Sequence, residues 1–268
     1  QISQNELCLG TDGKGTKIFN IPKQLITDYP FDNNYLDSGT SKVHSVLKDN
    51  AGNLWIAIYQ KGVMMIPAQP NSFKYIGYKS INKNIIGSNC ITSLCRDHEG
   101  ILWIGTDNDG IYGITTELKQ KVHYAPHDSP SSVPSTVFGL YEDSEHNLWF
   151  GSYTNGLGRL DKKTGQCSYL QNLTDKNGNR IQRVYDLVED QDKRLWIATM
   201  GAGLFYYDLK TGQSVYDPKF NAATKKYKWI SCLLYAGDNH LYVGTYDGIR
   251  CIDLSTDDFK TEEILSRH

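Results

Sequence analysis

The chain has 268 residues, with 28 Lys and Arg against 30 Asp and Glu and a net charge of -2. That balance disfavours a nucleic-acid binder, which carries a basic excess, and 39% hydrophobic residues are too many for a disordered chain. No apolar run approaches the roughly 18 residues of a membrane span, and 24 Gly, 18 Tyr and 5 Trp against 3 Met suit strands and tight turns better than helices.

The N-terminal residue is Gln1, with no signal-like apolar stretch after it, so the expectation is a processed product or an excised piece. A repeat follows at once. ELCLGTDGKGT begins at Glu6, and related segments are NLWIAIYQKGV from Asn53, ILWIGTDNDGI from Ile101, NLWFGSYTNGL from Asn147, RLWIATMGAGL from Arg194 and HLYVGTYDGI from His240. Their anchors are Cys8, Trp55, Trp103, Trp149, Trp196 and Tyr242, separated by 47, 48, 46, 47 and 46 residues. A period near 47 fits one propeller blade of about 40–50 residues.

Each repeat reads as four strands. Strand A is VHSVLKD at Val43, ITSLCRD at Ile91, VFGLYED at Val137, VYDLVED at Val184 and ISCLLYA at Ile230. Its imperfect period of two is the expectation for a strand buried on both faces. Asp49, Asp97, Asp143 and Asp190 end strand A and open a turn. Strand B is the LWIGT run, and its Trp should fill the space between adjacent blades. Gly15, Gly62, Gly110, Gly156, Gly203 or Gly248 closes the next turn. Strand C follows, then a Thr-Gly turn as at Thr164-Gly165 and Thr211-Gly212, then a short polar strand D. The expected fold is all-β: a β-propeller of four-stranded antiparallel blades over residues 1–268, five full and one lacking its inner strand.

The string DHEGILWIGTDNDGIYGI, from Asp97 to Ile114, resembles the two-component regulator propeller repeat. PHDSPSSVPSTVFGLYED, from Pro126 to Asp143, resembles the linker that precedes it. All six repeats share the pattern; Cys8 and Tyr242 replace Trp, and Ala236 replaces the turn Asp. The resemblance implies a sensor region of hybrid histidine kinases of Bacteroidetes, periplasmic, within a seven-bladed propeller. It also implies a second propeller and downstream domains in the same chain, a homodimer, and membrane attachment only through a segment outside these residues. The segment would itself be non-catalytic and need no cofactor or metal.

The A–B and C–D turns lie on one face and are repetitive, so they read as scaffold. The B–C and D–A loops lie on the other face and vary, which is where binding residues are placed without disturbing a fold. The B–C position four past the anchor carries Asp12, Tyr59, Asp107, Tyr153, Met200 and Tyr246. The second residue of strand A is His44, Thr92, Phe138, Tyr185 or Ser231, and the D–A loops add Arg180, Arg183, Lys228 and Trp229. The candidate ligand-binding residues are Tyr59, Tyr153, Tyr246, Tyr185, Phe138, Arg183, Trp229, His44 and Asp107. Flat rings beside amides, carboxylates and cations match the C–H faces and hydroxyls of an oligosaccharide, and arginine matches an acidic group on it.

Two other functions compete. A protein-interaction scaffold would use the same aromatic surface. A propeller lyase needs a His base beside a metal-binding carboxylate at the channel mouth. His98, His146 and His240 fall in A–B hairpins on the opposite face, only His44 and His127 lie near the variable one, and no His/Glu cluster is legible in the sequence. Asp175 to Asn179 has calcium-loop residues without the bidentate Glu, so it reads as a turn. The six cysteines form no CxxC and read mostly as small buried apolar groups.

Overall fold

The computed structural model describes residues 1–29, 40–69, 76–77, 86–115, 120–175, 177–216, 229–256 and 259–266. Within them the secondary structure is all β, in six antiparallel sheets. The chain forms two compact units, residues 1–85 and 86–268.

The first unit holds two three-stranded sheets. One is β1 (Glu6–Gly10), β2 (Thr16–Asn20) and β3 (Leu25–Asp28). It has strands B, C and D of a blade and begins without strand A. The other is β4 (Val43–Lys48), β5 (Leu54–Ile58) and β6 (Gly62–Ile66). The place of its strand D lies outside the described residues.

The second unit holds four complete blades. They are β7 (Ile91–Arg96), β8 (Leu102–Thr106), β9 (Ile111–Ile114) and β10 (Gln120–Tyr124); β11 (Val137–Glu142), β12 (Leu148–Ser152), β13 (Leu157–Leu160) and β14 (Cys167–Tyr169); β15 (Val184–Glu189), β16 (Arg194–Thr199), β17 (Leu204–Asp208) and β18 (Gln213–Val215); and β19 (Ile230–Tyr235), β20 (His240–Thr245), β21 (Gly248–Asp253) and β22 (Thr261–Ser266). Every strand pairs with its sequence neighbour, so each blade is an up-and-down meander. The inner strands β7, β11, β15 and β19 sit side by side. Repeated meanders with adjacent inner strands are the propeller arrangement, and the fold is a partial β-propeller. Counting the sheets in chain order, blades 1 and 2 make the first unit and blades 3 to 6 the second.

The core lies between blades. Trp103 packs with Val137, Leu140 and Phe150 of the following blade. Trp149 packs with Val184, Leu187 and Ile197, and Trp196 with Ile230, Leu241 and Val243. These three indoles are at most 3% exposed. In the first unit Cys8 takes the anchor's place against Val43 and Ile56. Trp55 differs, at 40% exposed.

The turn aspartate does more than open a turn. Its carboxylate accepts the indole N–H of its own anchor: Asp49–Trp55 at 2.9 Å, Asp97–Trp103 at 2.8 Å, Asp143–Trp149 at 2.7 Å and Asp190–Trp196 at 2.7 Å. The same side chain accepts the backbone N–H four residues on, closing the A–B hairpin. One carboxylate therefore fixes both the turn and the ring that fills the interblade space. Burial pushes the Asp97 carboxyl up. Hydrogen bonds from Trp103 and the Ile101 N–H, together with Lys162, outweigh burial and hold it below its ordinary value.

The small residue after the anchor, as in LWIG, has a packing reason. A Cβ on Gly151 would meet the Val184 carbonyl at 2.5 Å, and one on Gly105 would meet Val137 at 3.0 Å. Strand B can approach the next blade's strand A only where no side chain intervenes.

The irregular strand A pattern has a different cause from burial on both faces. In all five strands the ladder skips its second residue, between Val43 and Ser45, Ile91 and Ser93, Val137 and Gly139, Val184 and Asp186, and Ile230 and Cys232. Each is a β-bulge, which breaks alternation and re-aims the extra residue.

The cysteines depart from the reading of mostly buried groups. Cys167 and Cys251 are buried, Cys8 and Cys95 half-buried, and Cys90 and Cys232 exposed; all six are free thiols.

Candidate functional site

The bulged residues are His44, Thr92, Phe138, Tyr185 and Ser231, the positions singled out for the variable face. Beside them stand the B–C turns. In blades 3, 4 and 5 a hydroxyl at the end of strand B holds the turn: Thr106 Oγ1 donates to Gly110 O at 2.9 Å, Ser152 Oγ to Gly156 O at 3.1 Å and Thr199 Oγ1 to Gly203 O at 2.5 Å. The closing glycines have φ of 73°, 78° and 97°, a region that L side chains rarely enter. These turns therefore present the residue after the hydroxyl outward on a fixed backbone.

In the second unit this geometry brings four candidates together. Phe138 stacks on Tyr185 with ring centroids 4.3 Å apart and 23° between planes. Phe138 also meets Tyr153 edge-on at 5.9 Å. The Arg183 guanidinium lies over the Tyr153 ring at 5.0 Å. Tyr153 is 42% exposed, Phe138 and Tyr185 are half-buried, and Arg183 is exposed. Burial, then the neighbouring Tyr153, pushes the Tyr185 phenol above its ordinary value. It is thus a neutral hydroxyl at physiological pH. The result is an aromatic shelf edged by phenol hydroxyls and one cation.

The first unit repeats part of this shelf. His44 stacks on Tyr59 at 5.1 Å, with 18° between planes. A strand A bulge residue meeting the B–C aromatic of its own blade is therefore a recurring pair, His44–Tyr59 in blade 2 and Phe138–Tyr153 in blade 4.

The remaining candidates are placed as follows. Trp229 is 57% exposed and bridges Met200, whose N–H donates to the Arg183 carbonyl at 3.0 Å. Tyr246 is 74% exposed in the β20–β21 turn. The Asp107 carboxylate accepts the Thr136 hydroxyl at 2.8 Å, which ties a B–C turn to the next D–A loop. Arg180 donates to the Asn155 carbonyl at 3.1 Å and braces the turn that carries Tyr153. Lys228 lies outside the described residues. Within the stretch that reads as a turn, the Asp175 carboxylate accepts the N–H of Asn177 and Asn179 at 2.8 Å each, and Lys176 lies outside the described residues.

Two further histidines have their own partners. His123 stacks on Tyr112 at 3.9 Å and lies 3.4 Å from Asp109. His127 Nδ1 sits 3.1 Å from the Ser132 hydroxyl. One expectation is overturned: a His/Glu cluster does exist, at His98, Glu142 and His146, on the A–B side. Sequence inspection missed it because its members come from the A–B hairpins of two adjacent blades, with His98 and Glu142 44 residues apart.

Three stretches, residues 85–108, 131–154 and 174–201, match the two component regulator propeller family. No curated protein sequence matches the chain. Two crystal structures of the extracellular domain of BT4673 from B. thetaiotaomicron, described once as a one component and once as a hybrid two component system, are similar in fold. They align with TM-scores of 0.58 and 0.57, at 21% and 20% identity, over 97% and 96% of this chain. The chain spans only 36% and 35% of their length. A crystal structure of a Bacteroides caccae protein of unknown function aligns at TM-score 0.50 and 12% identity, over 98% of this chain and 93% of the other. These likenesses are of fold. The chain is a partial β-propeller, and three of its stretches are similar to two component regulator propeller repeats.

Proposed function

We propose that the chain is part of the extracytoplasmic sensor region of a hybrid two-component system and binds an oligosaccharide on its B–C and D–A face. The observation that carries this reading is the Phe138–Tyr185 stack with Tyr153 and Arg183 at its edge. A pyranose offers C–H faces and hydroxyls, and such a shelf offers ring faces, phenol donors and a cation. The BT4673 structures are described as extracellular domains, which supports the compartment. Trp229 and Tyr246 extend the same face, and His44 with Tyr59 gives the first unit a smaller version.

In this reading the ligand signals by preferring one arrangement of the parent protein over another, and only the difference in affinity shifts the equilibrium. The kinase, the membrane segment and any second propeller belong to that parent. A seven-bladed ring and a homodimer are part of the same proposal.

Thermal unfolding in the presence of a panel of neutral and acidic oligosaccharides tests it. Binding to the folded state alone adds about 2.7 kcal/mol at a hundredfold excess over Kd, so a true ligand raises the midpoint visibly. Stabilisation by one sugar class, without chemical conversion of the sugar, supports the sensor. Conversion of the sugar would instead point to an enzyme, and silence across the panel would leave the aromatic face to a protein partner.

A further inference from the structure

The A–B face carries a latch between blades. At the junction of blades 4 and 5, Glu189 Oε2 accepts the Ser144 N–H at 2.6 Å and Glu189 Oε1 accepts the Ser144 hydroxyl at 2.5 Å. Lys193 Nζ lies 3.3 Å from the same carboxylate. The last residue of strand A thus caps the preceding blade's turn, and a lysine neutralises it.

The junction of blades 3 and 4 uses the same positions with different chemistry. Glu142 Oε2 accepts the His98 N–H at 2.7 Å. His98 takes the place of Ser144, one residue past the turn aspartate, and His146 takes the place of Lys193, three past it. His98 Nδ1 is 2.8 Å from Glu142 Oε1, and the two imidazoles face each other at 3.7 Å. One ligand atom from each of the three residues lies within 4.8 Å of the others. The neighbouring junction shows that the latch needs no histidine. Two imidazoles converging on one half-buried carboxylate therefore add something the latch itself does not use.

We propose that His98, Glu142 and His146 form a binding site for a divalent transition-metal ion, with zinc the best match, that clips blade 3 to blade 4. Two imidazole nitrogens and one carboxylate oxygen are a zinc-type donor set, leaving a fourth position for water. Magnesium and calcium require mostly oxygen donors and fit poorly. With ligand bonds near 2.0–2.2 Å, tetrahedral donors stand about 3.3–3.5 Å apart. Both histidines are exposed, so their imidazoles have room to turn out of the stack and narrow the present spread toward that spacing. Lys162 is the competitor: its Nζ is 2.7 Å from Glu142 Oε1 and 3.4 Å from Asp97 Oδ2. Metal binding displaces the ammonium from Glu142 and leaves it with Asp97.

Isothermal titration of the chain with zinc chloride, with magnesium chloride as control, tests the site. Saturable binding of one zinc and none of magnesium is expected. His146→Ala should weaken zinc by about 100-fold or more, beyond the roughly 10–100-fold typical of an outer-shell partner. Its metal-free circular dichroism should match the parent, because the latch hydrogen bonds do not involve the His146 side chain, with only a small drop in melting midpoint from the lost imidazole stack and the left-handed backbone there. Lys162→Gln should tighten binding by removing the competing cation. Absence of saturable zinc binding, or affinity unchanged in His146→Ala, would overturn the proposal.

Discussion

Asp143→Ala isolates the link between hairpin and anchor. Asp143 is 2% exposed, and its carboxylate accepts the Asn147 N–H at 2.8 Å and the Trp149 indole N–H at 2.7 Å. Alanine removes the acceptor and strands these two donors, while the Glu145 N–H and the Asn147 side-chain amide, also bound to Asp143, lie nearer to water. Each buried, unsatisfied donor costs about 1–3 kcal/mol. A groove of about 250 Å³, lined in part by Asn147 and Trp149, opens beside them and admits some water. The lower half of the range therefore applies, for a total of about 3 kcal/mol. With a urea m of about 2 kcal/mol/M, the unfolding midpoint falls by roughly 1.5 M. Trp149→Phe in the Asp143→Ala background should cost about 1 kcal/mol less than it does in the parent, because the stranded indole N–H is then gone. Asp49→Ala should cost less than Asp143→Ala, since Trp55 is 40% exposed. A cost for Asp143→Ala within about 0.5 kcal/mol of zero, the range of ordinary surface changes, would refute the staple. So would strict additivity in the double mutant.

Gly151→Val should destabilise by about 1–3 kcal/mol through overpacking, because its Cβ would stand 2.5 Å from the Val184 carbonyl; an unchanged melting midpoint would contradict the close approach of blades 4 and 5. Acid should act through Asp97 and Glu142, whose hydrogen bonds and ion pairs outweigh burial and hold both carboxyls below their ordinary values. Their contribution is complete above the unfolded values of about 4 and is lost as pH falls through the lower folded values, so Asp97→Asn should flatten the loss of stability below about pH 4. Asp186 works in the opposite direction: burial outweighs its hydrogen bonds from Leu233 and Leu187 and raises its carboxyl. Its contribution is present at low pH and fades as pH rises through the raised value, so Asp186→Asn should remove that decline in a pH series of urea midpoints. A thiol reagent at pH 8 should label exposed Cys90 and Cys232 in the native protein but spare Cys167, whose thiol burial pushes up to about 12; native labelling of Cys167 would show that blade 4 opens readily.

The blades were legible because each depends on residues close in sequence. Trp149, Gly156 and the Thr164-Gly165 turn recur at a fixed spacing, and neighbouring strands pair within each repeat. The strand A bulge was less legible, since a skipped residue looks like weak alternation. It is nevertheless the bulge residue that meets a neighbouring ring, His44 in the first unit and Phe138 and Tyr185 in the second. The Asp143–Trp149 bond was within reach, because both residues recur six apart, but spacing alone does not show that a side chain bends back across its own hairpin. Candidates on the face fell into two groups for a physical reason. Phe138, Tyr153, Tyr185 and Arg183 meet through rings and a cation, whereas Asp107 and Arg180 are short or polar enough to be absorbed by loop hydrogen bonds. The His98–Glu142–His146 cluster was illegible because it depends on how two blades pack.

The most direct test of the account is a calorimetric titration of the chain, Phe138→Ala and Ser168→Ala with the oligosaccharide that stabilises it most. Phe138 joins Tyr153 and Tyr185 into one shelf, and removing a stacking ring costs about 1.4 kcal/mol or more, a tenfold loss of affinity. The account predicts that loss for Phe138→Ala and unchanged binding for Ser168→Ala, which alters β14 away from the shelf. Equal affinity in all three proteins would contradict the claim that the B–C and D–A face binds the sugar.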